Sequence, residues 1–450
     1  MINIINKLIC KKRAINKITL WRIRKFFIKQ LTLYYGNFLI IKNVFNKDEI
    51  ISFLDLYKNL PVTVHNKKQN VVKKRWLQGY DPKLETIFCD RLKKEIGNFQ
   101  MDNLKDENGK DWVGVSCQGL GASSWWPNKD HMYDEVDSMK IRINVPKSLV
   151  AVSNGRLIDI SESKKQSSYT WFVSNPINNY GVNVNIGDYV NFSERYPGEK
   201  GVLDMDYYVL KYNLQKAKKQ FKEATKTIKA FEYWFGPYPF YEDSYKLIEV
   251  PYLGMEHQSS ITYGNQYKNG YLGSDLSGTG WGLKFDFIIV HETGHEWFAN
   301  NITNKDIADM WIHEGFTAYS ENLFLDYYYG KEAASEYVIG TRKRIQNDRP
   351  LIGDYNVNNQ GSSDMYYKGA NMIHILRQLT KDDEKWRQIL RKMNFKFYHQ
   401  TVTTQQIENF LSKEIGLDLV PFFNQYLRDI RIPILEYSIN GTKLAYRWSN

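Results

Sequence analysis

A chain of 450 residues with 42% apolar and 15% aromatic content can bury two or three cores, so a multidomain soluble protein is expected. No stretch approaches the roughly twenty uncharged apolar residues of a membrane span, and three scattered cysteines, Cys10, Cys89 and Cys117, exclude a disulfide framework and a thiolate metal site. The net charge of +11 is lopsided: residues 1–100 hold 21 Lys and Arg against 7 Asp and Glu, a surplus of 14 that leaves the remainder at −3 and argues against a nucleic-acid partner.

Residues 1–107 read as an unassigned basic segment, with foreign or fused sequence as one explanation. Residues 1–30 alternate basic and apolar side chains without an apolar h-region or a small-residue cleavage site, so they are no signal peptide. The chain as it stands is therefore expected in the cytoplasm, and exported only if its true N-terminus is missing. Residues 37–41 and 48–54 read as a strand and a short helix, with no chemistry attached. From about Asn108 the pattern changes. Residues 112–118, 139–144, 149–153, 168–173 and 182–186 are short alternating runs parted by Gly, Asn, Pro and Ser, the signature of an antiparallel sheet. Residues 210–235 form an amphipathic helix with Leu214, Phe221 and Phe231 inward. A turn at 235–240 leads to a strand, 245–250, ending at Gly254-Met255-Glu256-His257. As an edge strand it can align an extended peptide by backbone pairing. Residues 264–282 are a loop rich in Gly, Ser, Tyr and Asn.

The chemistry begins at Val290-His291-Glu292-Thr293-Gly294-His295, inside the apolar run that starts at Phe285. Residues four apart share a helix face, so His291 and His295 can both point at one metal ion, with Glu292 beside it as a non-ligand carboxylate. A catalytic zinc takes a third protein ligand and keeps an open position. Glu314, in the helical run 312–324, supplies that ligand. Tyr327-Tyr328-Tyr329-Gly330 closes this run, and a further helix spans 333–345. Asp364-Met365-Tyr366-Tyr367-Lys368-Gly369 precedes a helix over 369–379. Another covers 404–411 with Thr403 as N-cap. Residues 432–438 and 444–448 begin a new β element.

The block from His291 to Thr303, followed by Trp311-Ile312-His313-Glu314-Gly315-Phe316, resembles the M1 family of zinc aminopeptidases. So do Gly254-Met255-Glu256-His257, the Tyr366–Gly369 block, and Cys117-Gln118 followed by Gly121-Ala122-Ser123. The resemblance covers about residues 108–450. It implies a multidomain α+β fold: a partial antiparallel β domain at 108–203, a thermolysin-like metallopeptidase domain at 204–431, and the start of a truncated β domain at 432–450. It implies one zinc per chain, Glu292 as general base and Tyr366 at the oxyanion. Glu256, with Gly254 and Met255, would hold the substrate's ammonium, and Gln118 would line the pocket. The implied substrates are peptides with a free N-terminus. The motifs specify no oligomeric state. His257 stands where the family usually has Asn, Asn128 where it often has Cys, and Val136 where it has Pro. Two other readings stay open: a zinc endopeptidase on the same core, and an inactive truncated or fused fragment.

Overall fold

Punctuation by Gly, Asn and Pro divides the first half of the structure into short strands, and the second half is mainly helical. The computed structural model describes residues 100–129 and 131–449. The strand and helix expected at 37–41 and 48–54, and most of the basic segment 1–107, lie outside the described residues. The chain divides into two units, residues 1–97 with 123–129 and residues 98–122 with 130–450. In the first, the short described stretch includes a turn in which Asn128 Nδ2 donates to Trp126 O at 3.0 Å.

The strands in the first half of the second unit are β1 (Gln100–Lys105), β2 (Asp111–Ser116), β3 (Met139–Pro146), β4 (Val150–Val152), β5 (Arg156–Glu162), β6 (Gln166–Val173), β7 (Asn185–Gly187), β8 (Tyr189–Gly198) and β9 (Gly201–Leu210). They build two antiparallel sheets, ordered β1-β2-β7-β4 and β3-β6-β5, with β8 and β9 as a hairpin leading onward. Period-two alternation turns Leu203, Met205, Tyr207 and Val209 of β9 into the main core.

The helix expected over 210–235 is broken into α1 (Leu214–Gln220) and α2 (Lys222–Phe235), with Phe221 at the joint at φ −73°, ψ −3°. Its ring is buried edge-on to Tyr263, 5.0 Å between centroids, so the bend seats an anchor in the core. Then come β10 (Tyr245–Glu249), β11 (Gly254–Met255) and β12 (Ile261–Tyr263), which join the hairpin in a sheet ordered β11-β12-β10-β9-β8. The edge-strand expectation needs correction here. β10 pairs in parallel with β9 on one side and β12 on the other, so it is central, and among the described residues the free edge belongs to β11.

The remaining elements are α3 (Phe287–Gly294), a π-turn (Glu296–Asn301), β13 (Ile302–Asn304), α4 (Trp311–Thr341), α5 (Tyr367–Thr380), α6 (Asp383–Lys396), β14 (Gln400–Val402), α7 (Thr404–Ile415), α8 (Val420–Phe423), β15 (Ile434–Asn440) and β16 (Lys443–Ser449). Asp286 caps α3, its carboxylate accepting from Ile288 N and Ile289 N, and every residue of that helix is buried. α4 packs across α3 at Gly294, where a Cβ would stand 2.5 Å from Ser320 Oγ and 3.2 Å from Thr317 Cγ2. A side chain there would force Ser320 and Thr317 to shift. α4 is interrupted at Gly330, φ 87°, where the expected stop lies, and resumes with Ala334 and Tyr337 inward. Thr403 and Gln406 close a capping box on α7.

β15 and β16 form a separate two-stranded hairpin. Its register pairs Leu435 with Trp448, Tyr437 with Tyr446 and Ile439 with Leu444, while Glu436 faces Arg447 on the opposite side. All six apolar partners are exposed. Among the described residues, no helix is long and apolar enough to cross a membrane.

Candidate active site

The end of α3, the start of α4 and the free edge of β11 meet at one place. His291 lies in the last turn of α3 and His295 caps it, so both imidazoles leave one face. Their Nδ1 atoms are engaged. His291 Nδ1 is 2.7 Å from Glu321 Oε1, and His295 Nδ1 is 3.0 Å from both Phe298 O and Thr317 Oγ1. A carboxylate and a carbonyl only accept, so each ring carries its proton on Nδ1 and presents Nε2 inward.

Glu314, in the first turn of α4, meets those nitrogens. Its Oε2 is 3.6 Å from His291 Nε2 and 3.4 Å from His295 Nε2, and it is buried without a hydrogen-bond partner. Oε1 accepts from Gln118 Nε2 at 2.6 Å. Burial disfavours charge on the imidazoles, yet the carboxylates outweigh it. Glu314 and Glu321 hold His291 well above its ordinary value, and Glu256 and Glu314 lift His295 to about 9. Burial pushes Glu314 upward too, but His295 and His291 hold it well below the usual carboxylate range. The cluster therefore demands positive charge. Two protons can supply it, or one divalent cation in their place, and the donor atoms of His291, His295 and Glu314 lie within 4.8 Å of one another. Two imidazoles and a carboxylate, with no thiolate, form a donor set that fits zinc.

Glu292 is buried beside this set, and its ligand atom lies within 4.8 Å of those of His295 and Glu256. Burial raises its pKa, the two histidines oppose the shift, and Glu314 and Glu321 add to it. Glu256 follows β11. Burial lifts its carboxyl to about 7, with His295 opposing and Glu292 adding, and its Oε1 has no hydrogen-bond partner. Its carbonyl accepts from Asn300 Nδ2 at 2.8 Å, and the same amide donates to Glu296 Oε1 at 3.2 Å. Glu296 in turn accepts from Ser259 N at 3.0 Å, so the π-turn holds the 256–259 loop in place. His257 is wholly buried and, by that burial, kept neutral with a pKa of about 3.

Tyr366 precedes α5. Its Oη accepts from Gln118 Nε2 at 3.0 Å, and its ring stacks on His291 at 6.0 Å. Burial, then the charge of Glu314, keeps the phenol well above its ordinary pKa, so it remains an O–H donor. Gly254 lies against α3: a Cβ there would be 2.6 Å from Ile288 Cγ2 and 3.4 Å from Glu292 Oε1. Met255 turns into the interior, and its carbonyl accepts from Thr262 Oγ1 at 3.2 Å. The structure thus gathers eight of the nine expected residues around one centre and sets the ninth, the Met255 side chain, behind it.

Sequence reasoning missed Glu321, Thr317, Asn300 and Glu296. Glu321 carried a signal, since it stands two helical turns after Glu314 on the same face of α4. Tyr337 Oη donates to its other oxygen at 2.6 Å.

Residues 219–426 match the family model described as the peptidase family M1 domain. Leucyl aminopeptidase of Saccharolobus solfataricus is 21% identical over 352 residues, covering 75% of this chain and 44% of that protein. Leukotriene A-4 hydrolase of Xenopus laevis is 26% identical over 289 residues, covering 60% of this chain and 44% of that protein. The chain thus spans less than half the length of these curated relatives. Among solved structures, an M1 zinc metallopeptidase from Deinococcus radiodurans aligns with a TM-score of 0.62 at 20% identity, over 74% of this chain and 72% of that one. A mutant of an M1 zinc metallopeptidase from the same organism, bound to a Tyr-Ser-Ala substrate, aligns with a TM-score of 0.62 at 18% identity, over 75% and 76%. The fold is shared with these structures.

Proposed function

From the match of residues 219–426 to the peptidase family M1 model, we propose that the chain is a zinc-dependent aminopeptidase that removes the N-terminal residue of peptides. One zinc per chain would be held by His291, His295 and Glu314. The observation that carries this is Glu314 Oε2, a buried oxygen without a hydrogen bond, facing two imidazole nitrogens oriented by bonds at their far sides. Zinc, when bound there, supplies a Lewis acid that acidifies a water and polarises the scissile carbonyl.

Glu292 takes the proton from that water and passes it to the leaving nitrogen. Its raised pKa suits a group that must accept a proton and then give it up. Tyr366, kept protonated, donates to the developing oxyanion, where one well-placed donor contributes about 2.7–4 kcal/mol. Gln118 donates to both Tyr366 and Glu314 and so sets their relative orientation. Glu256 receives the α-ammonium, and the free edge at Gly254–Met255 offers its backbone to the extended substrate. The domain division that goes with this reading is a partial β domain at 108–203, a catalytic domain at 204–431 and a β element from 432. Support for a peptide substrate comes from relatives named aminopeptidases and from the Tyr-Ser-Ala complex of a neighbour.

The test compares one peptide in free and N-acetylated form, with zinc content measured on the same preparation. Hydrolysis of the free form alone, tracking zinc content, is expected. Equal hydrolysis of both forms would replace this reading with an endopeptidase, and zinc-loaded protein that cleaves neither would refute it.

A further inference from the structure

Beside the His291–His295–Glu314 set stands a second group, Glu256, Glu292 and His295, whose ligand atoms also lie within 4.8 Å of one another. The two groups share His295, and that ring has one nitrogen to give, because Nδ1 is held by Phe298 O and Thr317 Oγ1. With Nε2 committed to the first group, two carboxylates remain to the second. Both are buried, Glu256 with 2% and Glu292 with 7% of its surface exposed. Glu256 Oε1 has no hydrogen-bond partner. Two such carboxylates repel unless something cationic stands between them.

We propose that Glu256 and Glu292 form a second, weaker seat for a divalent cation, which binds through carboxylate oxygens and keeps water at its other positions. The inference rests on the aminopeptidase reading and adds a mode of regulation to the same site. A cation in this seat stands where the peptide's ammonium is anchored, and it occupies the oxygens Glu292 needs to take a proton. Excess metal therefore inhibits, competitively with substrates that carry a free amine. Only water and the ammonium are displaced; no covalent bond changes.

Zinc serves as the probe, titrated calorimetrically into chelator-stripped protein. The parent is expected to take one tight equivalent and a second, roughly tenfold or more weaker because it has two oxygen donors instead of three mixed ones. Glu256→Ala and Glu292→Ala should keep the first and lose the second, whereas His295→Ala should lose the first. Glu256→Gln and Glu292→Gln, which preserve volume, repeat the comparison should either alanine variant misfold. A single equivalent in the parent up to millimolar free zinc overturns the second seat and leaves the aminopeptidase reading standing. Persistence of the second equivalent in the carboxylate variants also overturns it. A parent that binds no zinc overturns both.

Discussion

Replacing Glu321 with Gln should loosen the hold on His291, one of the proposed zinc ligands, without removing it. Glu321 is buried, with Oε1 2.7 Å from His291 Nδ1 and Oε2 accepting from Tyr337 Oη at 2.6 Å. The amide keeps one acceptor and turns an N–H₂ toward the other partner, so Tyr337 must reverse its role or lose its bond. A hydrogen bond to a charged group contributes about 1.5–3 kcal/mol and a neutral one about 0.5–1.5, so the His291 contact alone loses about 1–1.5 kcal/mol. Partners behind a metal ligand typically contribute about 10–100-fold in affinity, about 1.4–2.8 kcal/mol, and the two ranges meet near the lower bound. A second effect opposes the first. Losing this carboxylate also weakens the proton's hold on His291, so the competing proton is easier to displace. The deficit in zinc affinity should therefore widen as pH rises. Competition against a chelating dye at two pH values measures it, and a melt of the metal-free protein shows that the fold is retained. An unchanged zinc affinity at the higher pH would refute the reasoning.

If Glu292 acts on a proton and not as a ligand, as proposed, Glu292→Gln should retain stoichiometric zinc and lose on the order of 10²–10⁴ in turnover; loss of zinc would make it structural. Zinc affinity should fall as pH falls, because both imidazoles are raised in the metal-free cluster, His295 to about 9, and the ion must displace their protons. Below pH 9 each unit of acidification should cost up to ~100-fold, the limit for two displaced protons, and a flat profile in a competition assay would contradict it. Ala299 sits in the π-turn at φ 156°, ψ −51°, a conformation that glycine adopts freely. Relief of about 1–3 kcal/mol of strain in Ala299→Gly is set against about 0.8 for the buried methyl and about 0.5–1 for chain entropy. Stability should therefore change by between about −0.8 and +1.7 kcal/mol, read as the shift in melting temperature; a loss above ~1 kcal/mol would show that the strain is absent.

The centre of the site was legible because helical periodicity is local. His291 and His295 share a face by spacing alone, and Glu314 needed only a second helix nearby. Gln118 was not legible from spacing, since its bond to Glu314 joins residues 196 positions apart and only a family resemblance pointed to it. Strand order is likewise tertiary: nothing inside residues 245–250 says that β12 will cover their outer side and hand the edge to β11. Some misses were failures of reading. Leu203, Met205, Tyr207 and Val209 alternate as a strand should, and Trp386, Ile389, Leu390 and Met393 follow helical spacing behind the Asp382 cap. The bend at Phe221 is the opposite case, an unbroken amphipathic pattern that the core divides by pulling in one ring.

The hairpin of β15 and β16 has a consequence for handling the protein. With six apolar side chains lined up on one face and a salt-bridged opposite face, it gives the molecule the temperament of a surfactant. Tubing walls, hydrophobic resin and the air–water boundary all compete for such a face. Molecules adsorbed there would leave solution by a face made of β15 and β16 and not of the His291–His295–Glu314 cluster. Specific activity would then drift with dilution and recover with mild nonionic detergent, while KM and the pH profile held steady.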